Sequence, residues 1–338
     1  MDFNGCMCQR RTGTTNPFLK SHFSGGANKE YTEHYGAMIQ TKILFLIIVL
    51  PLATPAHTEA IPLSTMEDLQ KIGNDDAYPL NGSYVITQDI DARGTASWND
   101  GAGFDPIGEY NYFSSSKSFK GTLDGQGHVI LGLNINRPDQ DFVGMFEYVG
   151  NTGLIKNVVL SGGAVRGRYR VGALAAMVDG GTFELCAAKT YVSGMAMVGG
   201  LVGTISYGTI KQCHTSGVVM GDERYTGGLV GRHGEGISPS VLLNCYSRAA
   251  VSGGYLYTGG LAGLNAGVIQ NSFAAGEVTA DPDGDATGGF AGENSGVITA
   301  CYFGCHHRAK WQCRGLRADD NRNDVSVCGE HLCRLGFC

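Results

Sequence analysis

The chain has 338 residues, 52 of them Gly and only 9 Pro, with 17% charged and 43% apolar side chains. That composition excludes a disordered polyampholyte and a helix-rich coiled coil, and favours a β-rich fold in which Gly supplies tight corners. The formal net charge is −6 and no long Lys/Arg run follows residue 60, so nucleic acid is not an expected partner.

In chain order, residues 1–37 carry Cys6 and Cys8 without a recognisable pattern. They read as a non-native N-terminal extension, with translation expected to begin at Met38. Lys42 then precedes an apolar run from Ile43 to Ala53. This run is too short for a membrane helix of about 20 residues, and it suits the h-region of a signal peptide over 38–56. Small residues at Thr54-Pro55-Ala56 and Thr58-Glu59-Ala60 offer cleavage sites. Residues 57–140 read as an N-terminal cap and first coil. Ser64-Thr65-Met66-Glu67 resembles a capping box opening a short helix through Ile72, with Leu63, Met66, Leu69 and Ile72 apolar. A strand at Tyr84–Ile86, a turn over Trp98–Gly108 and the stretch Phe119–Ile135, with corners at Gly121, Gly125 and Gly127, complete this region.

Residues 141–303 are repetitive. VGMFEY at 143–148, VGALAA at 171–176, VGGLVG at 198–203, TGGLVG at 226–231, TGGLAG at 258–263 and TGGFAG at 287–292 recur at steps of 28, 27, 28, 32 and 29 residues. A second mark stays in phase: Asn157-Val158, Leu185-Cys186, Gln212-Cys213, Asn244-Cys245, Asn271-Ser272 and Ala300-Cys301. Between the marks lie runs of four to six residues bounded by Gly, Asn, Ser and Asp, as strands are, with no helical period. One such unit buries nothing alone; only stacking covers its inward side chains. The predicted architecture is all-β, a parallel β-helix or solenoid of about six coils of 27–32 residues. A β-propeller uses ~40–50 residues per blade and is disfavoured.

These residues resemble the GLUG-repeat family of bacterial secreted and surface proteins. The match is carried by GGLVG at 199–203 and 227–231, GGLAG at 259–263, GGFAG at 288–292, and the lead-in FDPIG at 104–108 with DGQGHVI at 124–130. The resemblance implies a β-helical surface or secreted protein, often adhesin-like. It implies no catalytic residues. The tail, 304–338, departs from the family with five Cys in 35 residues. Such chains often end in three segments that a one-base shift of Gly304–Leu316, Arg317–Asp324 and Arg334–Cys338 permits in the same order. The tail therefore reads as out of frame.

Candidate chemistry is sparse. In the tail, Cys305, Cys313, Cys328, Cys333 and Cys338 with His306, His307 and His331 lack any CxxC pair, so no zinc site is assigned. Cys186, Cys213, Cys245 and Cys301 fall at one repeat position and predict an inward column of small thiols, with a Cys186–Cys213 disulfide as the alternative. Asp281, Asp283 and Asp285 alternate as calcium ligands do, but without the length or closing Glu of an EF-hand, and read with Asp222-Glu223-Arg224 as solvated corners. Arg166, Arg168 and Arg170 read as a solvated basic edge. No carboxylate aligns with them, or with Arg224 and Arg232, as an acid/base pair, and His128 and His233 belong to no triad. No catalytic, cofactor-binding or metal residue is assigned. Tyr191, Tyr207, Tyr225, Tyr246, Tyr255 and Tyr257 read either as rings for sugar stacking or as stacked corners. Arg232–Ser240 and the Gly253–Tyr257 corner are the candidate recognition loops. The chain is expected to be an exported, non-catalytic, adhesin-like scaffold meeting glycans or cell-surface proteins, with no cofactor and no membrane anchor in the mature chain. A polysaccharide lyase or glycosidase, and a purely structural stalk, are the alternatives.

Overall fold

Short alternating strands become stable here by lying in register on the strand one coil earlier. The computed structural model describes residues 59–111, 117–234, 240–281 and 284–304. The expected extension, the signal peptide and the tail from Cys305 onward lie outside the described residues. So do residues 235–239 of one candidate loop, and Pro282 and Asp283.

The strands form a 13-stranded and a 14-stranded sheet, and each coil contributes to both. Pairing follows the repeat step throughout. Val171, Val198, Thr226 and Thr258 are successive partners, and every pair of named strands is parallel. This is the predicted parallel β-solenoid. Its six coils open at Val143, Val171, Val198, Thr226, Thr258 and Thr287.

Inward positions stack into columns. Tyr84, Leu123, Ile155, Phe183, Ile210, Leu242 and Ile269 follow one another through the register, each at most 1% exposed. Burying each such side chain is worth roughly 1.5–3 kcal/mol. The helix at the N-terminal end spans Met66–Lys71 and adds Met66, Leu69 and Ile72 to this core. Its N-cap is Thr65, whose hydroxyl accepts from the Asp68 amide at 3.1 Å, while Asp68 accepts from the Ser64 amide at 3.0 Å. The capping box thus sits one residue later than expected, because the strand Ile61–Leu63 must first bury Leu63.

Each coil turns two corners in the left-handed region. One is the residue before the Cys position: Asn157, Leu185, Gln212, Asn244, Asn271 and Ala300, with φ from 49° to 56°. The other lies two residues before the first signature Gly: Phe142, Arg170, Met197, Tyr225, Tyr257 and Ala286, with φ from 48° to 61°. A non-Gly residue there costs roughly 1–2 kcal/mol, least for Asn. The last Gly of each signature lies on the second corner of the coil before. At Gly231 a Cβ would stand 2.5 Å from the Met197 carbonyl carbon and 2.6 Å from the Val198 amide nitrogen, both backbone atoms that cannot yield.

The first coil departs from the alignment by eye. Phe146 pairs with Ala175, and the Met145 amide bonds the Ala173 carbonyl at 3.2 Å. Its turn is therefore one residue shorter, and Phe146 does not occupy the Leu201 position. The slip places Glu147 opposite Ala176, where later coils carry Gly203, Gly231, Gly263 and Gly292.

Two expectations follow for denaturant unfolding. Gly231→Ala loses about 3 kcal/mol through backbone overlap, whereas Gly94→Ala, with nothing within 4 Å, changes stability by less than ~1 kcal/mol. Equal midpoints for the two variants would contradict the close-packed corner. Leu185 has φ +55° and is 48% exposed, so Leu185→Asn gains about 1 kcal/mol by easing the corner; a lower midpoint would show that the Leu side chain contributes more than the strain costs.

Candidate functional site: a groove across coils three to five

On one flank, Met220, Ser252 and Thr279 are register partners on successive coils, followed by Gly221, Gly253 and Ala280. The next residues are Asp222, Gly254 and Asp281. No large side chain fits at this corner: a Cβ on Gly221 or Gly253 would stand 2.0 or 1.7 Å from the Thr226 or Thr258 hydroxyl, and one on Gly254 1.8 Å from the Asp222 carbonyl oxygen. The result is an open groove of about 390 Å³ between Asp222 and Asp281. Met220 forms part of its wall, and Tyr255, the residue after the lining residue Gly254, is 57% exposed. The expected Gly253–Tyr257 corner therefore borders a real depression. The structure brings Asp222 and Asp281 to it from corners read as merely solvated.

The other tyrosines separate. His214, Tyr246 and Phe273 stack with centroids 4.6 and 4.8 Å apart and planes within 8°. Tyr225 and Tyr257 stack at 5.5 Å. Arg248 lies over Tyr246 and Phe273, and Arg224 and Arg232 over Tyr225, at 5.4–6.0 Å. Tyr191 bonds Met220 Sδ at 3.1 Å and lies under the Arg166 guanidinium. These ring faces are already covered by protein, so Tyr225, Tyr246 and Tyr257 stiffen corners and the sugar-stacking alternative narrows to Tyr255 and Tyr207. The basic edge is also partnered. Arg168 Nε donates to Asp141 at 2.7 Å, and Arg170 lies 4.8 Å from the Phe142 ring. His128 faces Asp89 at 3.2 Å.

Val158, Cys186, Cys213, Cys245, Ser272 and Cys301 form the expected inward column, each at most 1% exposed. The four cysteines are free thiols. Cys186, Cys213, Cys245 and Cys301 each donate to the carbonyl two residues earlier at 3.3–3.4 Å, and the Cys186 amide donates to Cys213 Sγ. Ser272 makes the same pair of contacts, donating to the Gln270 carbonyl at 2.8 Å and accepting from the Cys245 amide at 3.1 Å. Burial pushes the Cys245 thiol up to about 11, and Cys213 and Cys301 upward too. Protonated thiols of this kind are poor nucleophiles.

Two features were not read from the sequence. Burial pushes the Glu147 carboxyl up to about 7 against a 2.7 Å bond from the Tyr110 amide, with Glu109 and Asp105 raising it further and Arg137 lowering it. Its register with the glycine column was the available signal, hidden by the one-residue slip. The second is a groove of about 440 Å³ beside Trp98, near the helix Met66–Lys71. Residues scattered from Gln70 to Asp105 line it, and no spacing marked them.

The inward column Val149, Val178, Ile205 turns polar at the buried His233 and Asn265 and ends in register at the exposed Asn294. His233 Nδ1 and Asn265 Oδ1 are 2.5 Å apart, and Asn265 Nδ2 donates to Asn294 at 2.6 Å. His233 Nε2 has no hydrogen bond of good geometry, although the Ser240 backbone lies close enough to favour the protonated ring. Burial, opposed by Asn265 and Ser240, holds the imidazole down at about 4.

No family model matches the chain. Over 150 residues, 44% of this chain, it is 39% identical to halomucin of Haloquadratum walsbyi. Over 80 residues it is 36% identical to a protein of Evansella cellulosilytica provisionally described as a Gly-rich membrane protein. The aligned segments make up 2% and 8% of those two proteins. A solved structure from Bacteroides ovatus, provisionally assigned as an immunoglobulin A1 protease, superimposes with a TM-score of 0.56 at 18% identity, over 72% of this chain and 74% of that one. At that identity the likeness concerns the fold. Among the described residues no helix is long and apolar enough to cross a membrane, which leaves strands aside.

A folded-state pKa below the ordinary 6.5 makes the unfolded chain bind the extra proton first. The His233 contribution is therefore full above pH ~6.5 and fades as pH falls toward about 4, by roughly 3 kcal/mol. His233→Ile, which extends the aliphatic column, should flatten the unfolding midpoint between pH 7 and 4; an unchanged slope would move the acid sensitivity elsewhere.

Proposed function

We propose that this chain is a GLUG-type repeat segment of an exported cell-surface protein, exported by the segment 38–56, that binds glycan chains without altering them. The carrying observation is the groove between Asp222 and Asp281, which runs across three coils, with the exposed Tyr255 next in the chain after its lining residue Gly254. A groove crossing stacked strands suits an extended chain, since each coil repeats the same backbone edge about 4.8 Å further along. The solenoid fold and the relative described as a membrane protein fit a cell-surface scaffold. One observation keeps the polysaccharide-active alternative in view: a carboxyl near neutrality at Glu147 has the protonation behaviour of a general acid.

The test incubates the full chain with immobilised polysaccharides and host glycans, recording retained protein and released sugar ends. Retention without release is expected, with Tyr255→Ala weakening it about five- to tenfold. Release of sugar ends that Glu147→Gln abolishes would replace this reading with the enzyme. Neither retention nor release would leave the structural stalk.

A further inference from the structure

We infer that the Trp98 groove is a second, separate binding site, and that it takes an uncharged, hydroxyl-rich sugar ring. The inference does not depend on the groove across coils three to five binding anything.

The walls are fixed from two distant segments. Gln70, at the end of the helix, donates through Nε2 to the Asp105 carbonyl at 3.0 Å and accepts from the Asp105 amide at 2.9 Å. This reciprocal pair ties the helix to the Trp98–Asp105 turn, so the cavity does not have to be assembled when ligand arrives. Trp98 is half-buried, held against the core with its ring centroid 6.5 Å from that of Phe104. Its remaining surface lines the groove, whose volume of about 440 Å³ lies within the ~300–1,000 Å³ of small-molecule sites.

The polar lining offers both kinds of hydrogen-bonding group. Asn74 Nδ2 donates one of its two N–H groups to the Gln70 carbonyl at 2.8 Å, and Asn99 Nδ2 one of its two to the Gly103 carbonyl at 2.8 Å. Asp105 Oδ1 is paired with Arg137 at 2.9 Å. Each Asn keeps a second N–H beside its Oδ1, and Asp105 keeps its second oxygen. A ligand for such a surface both donates and accepts hydrogen bonds and offers an apolar face to an indole. A pyranose does all of this, with hydroxyls on its rim and C–H groups on its faces. Uronic acids and sulfated sugars bring negative charge toward the Asp105 carboxylate, so they are disfavoured.

The backbone beside the indole supports a dedicated role. Asn99, Asp100 and Gly101 are successively left-handed, with φ of 52°, 55° and 87°. Both the Gly101 and Gly103 amides return to the Trp98 carbonyl at 3.0 Å. Two consecutive non-Gly residues in this region are strained, and such strain gathers where a side chain must be aimed. Unlike the corners of the coils, this turn has no partner in a repeat that would demand it.

Trp311 is the second tryptophan of the chain, so a Trp311→Phe background makes fluorescence report on Trp98 alone. The full-length protein is titrated with cellotetraose, xylotetraose, mannotetraose, tetragalacturonate and a chitosan tetramer. We expect a saturable emission change with at least one neutral tetrasaccharide, half-complete near ~1 mM, and none with tetragalacturonate. Asn74→Ala and Asn99→Gly should each weaken it about fivefold while leaving the thermal midpoint within a few degrees. No response to any neutral tetrasaccharide, an undiminished response in both variants, or a response to the chitosan tetramer alone would overturn the assignment. Tyr255→Ala should leave the emission response intact even where it removes retention by the other groove, so the two sites fail or stand separately.

Discussion

Everything in this molecule depends on how closely one coil can lie on the left-handed corner of the coil before it. The backbone ladder fixes the separation of strands, and the corner peptide occupies the space where a Cβ would project. At Gly203, Gly231, Gly263 and Gly292 only hydrogen fits between the coils. Once that contact is made at each step, register is set for the whole circumference. The inward columns, the second corner before the Cys position and the ring stacks all then recur at fixed places. The first coil is instructive because it satisfies the same ladder with one residue fewer and a Glu in the glycine position. There, the preceding coil provides the Tyr110 amide as a partner for the carboxylate.

Burial in a stacked column also decides what the buried polar groups can do. A thiol and a hydroxyl serve equally at the Cys position because each donates to the carbonyl two residues back, and Cys213 and Ser272 each accept an amide from the preceding coil. The column is thus a hydrogen-bonding device that tolerates Ser272 among cysteines. Desolvation holds its thiols protonated, which places them far from redox or nucleophilic chemistry under the same burial. The His233–Asn265–Asn294 run follows the same logic with longer side chains. His233 and Asn265 each reach the next coil, and the His stays neutral for the same reason the thiols do.

Repetition made much of this legible. The two phased marks placed the six coils, the inward thiols and the strand runs, because each residue type was tested six times by the same environment. Departures from repetition were not legible. The shortened turn before Phe146 leaves no trace in spacing, since the signature VGMFEY still begins with Val143-Gly144 and the count to Gly172 stays ordinary. Asp222 and Asp281 were visible as charged corners, but their approach to one groove needed the register across Gly254. The Trp98 groove brings Gln70 to Asp105 across 35 residues, through side-chain-to-backbone bonds that no periodicity encodes.

The same contrast explains where ring faces stay uncovered on such a solenoid. A ring at a repeat position has a neighbour at nearly the coil spacing above and below it, which is the distance at which aromatic faces cover one another. Tyr246 and Phe273, at 4.8 Å and 3°, are consumed in this way. Tyr255, after a Gly-Gly corner, and Trp98, in a lead-in turn outside the repeats, escape this stacking because the repeat is broken at both places. Regularity gives the solenoid its core and its stiffness, and its interruptions leave ring surface that the coils do not cover.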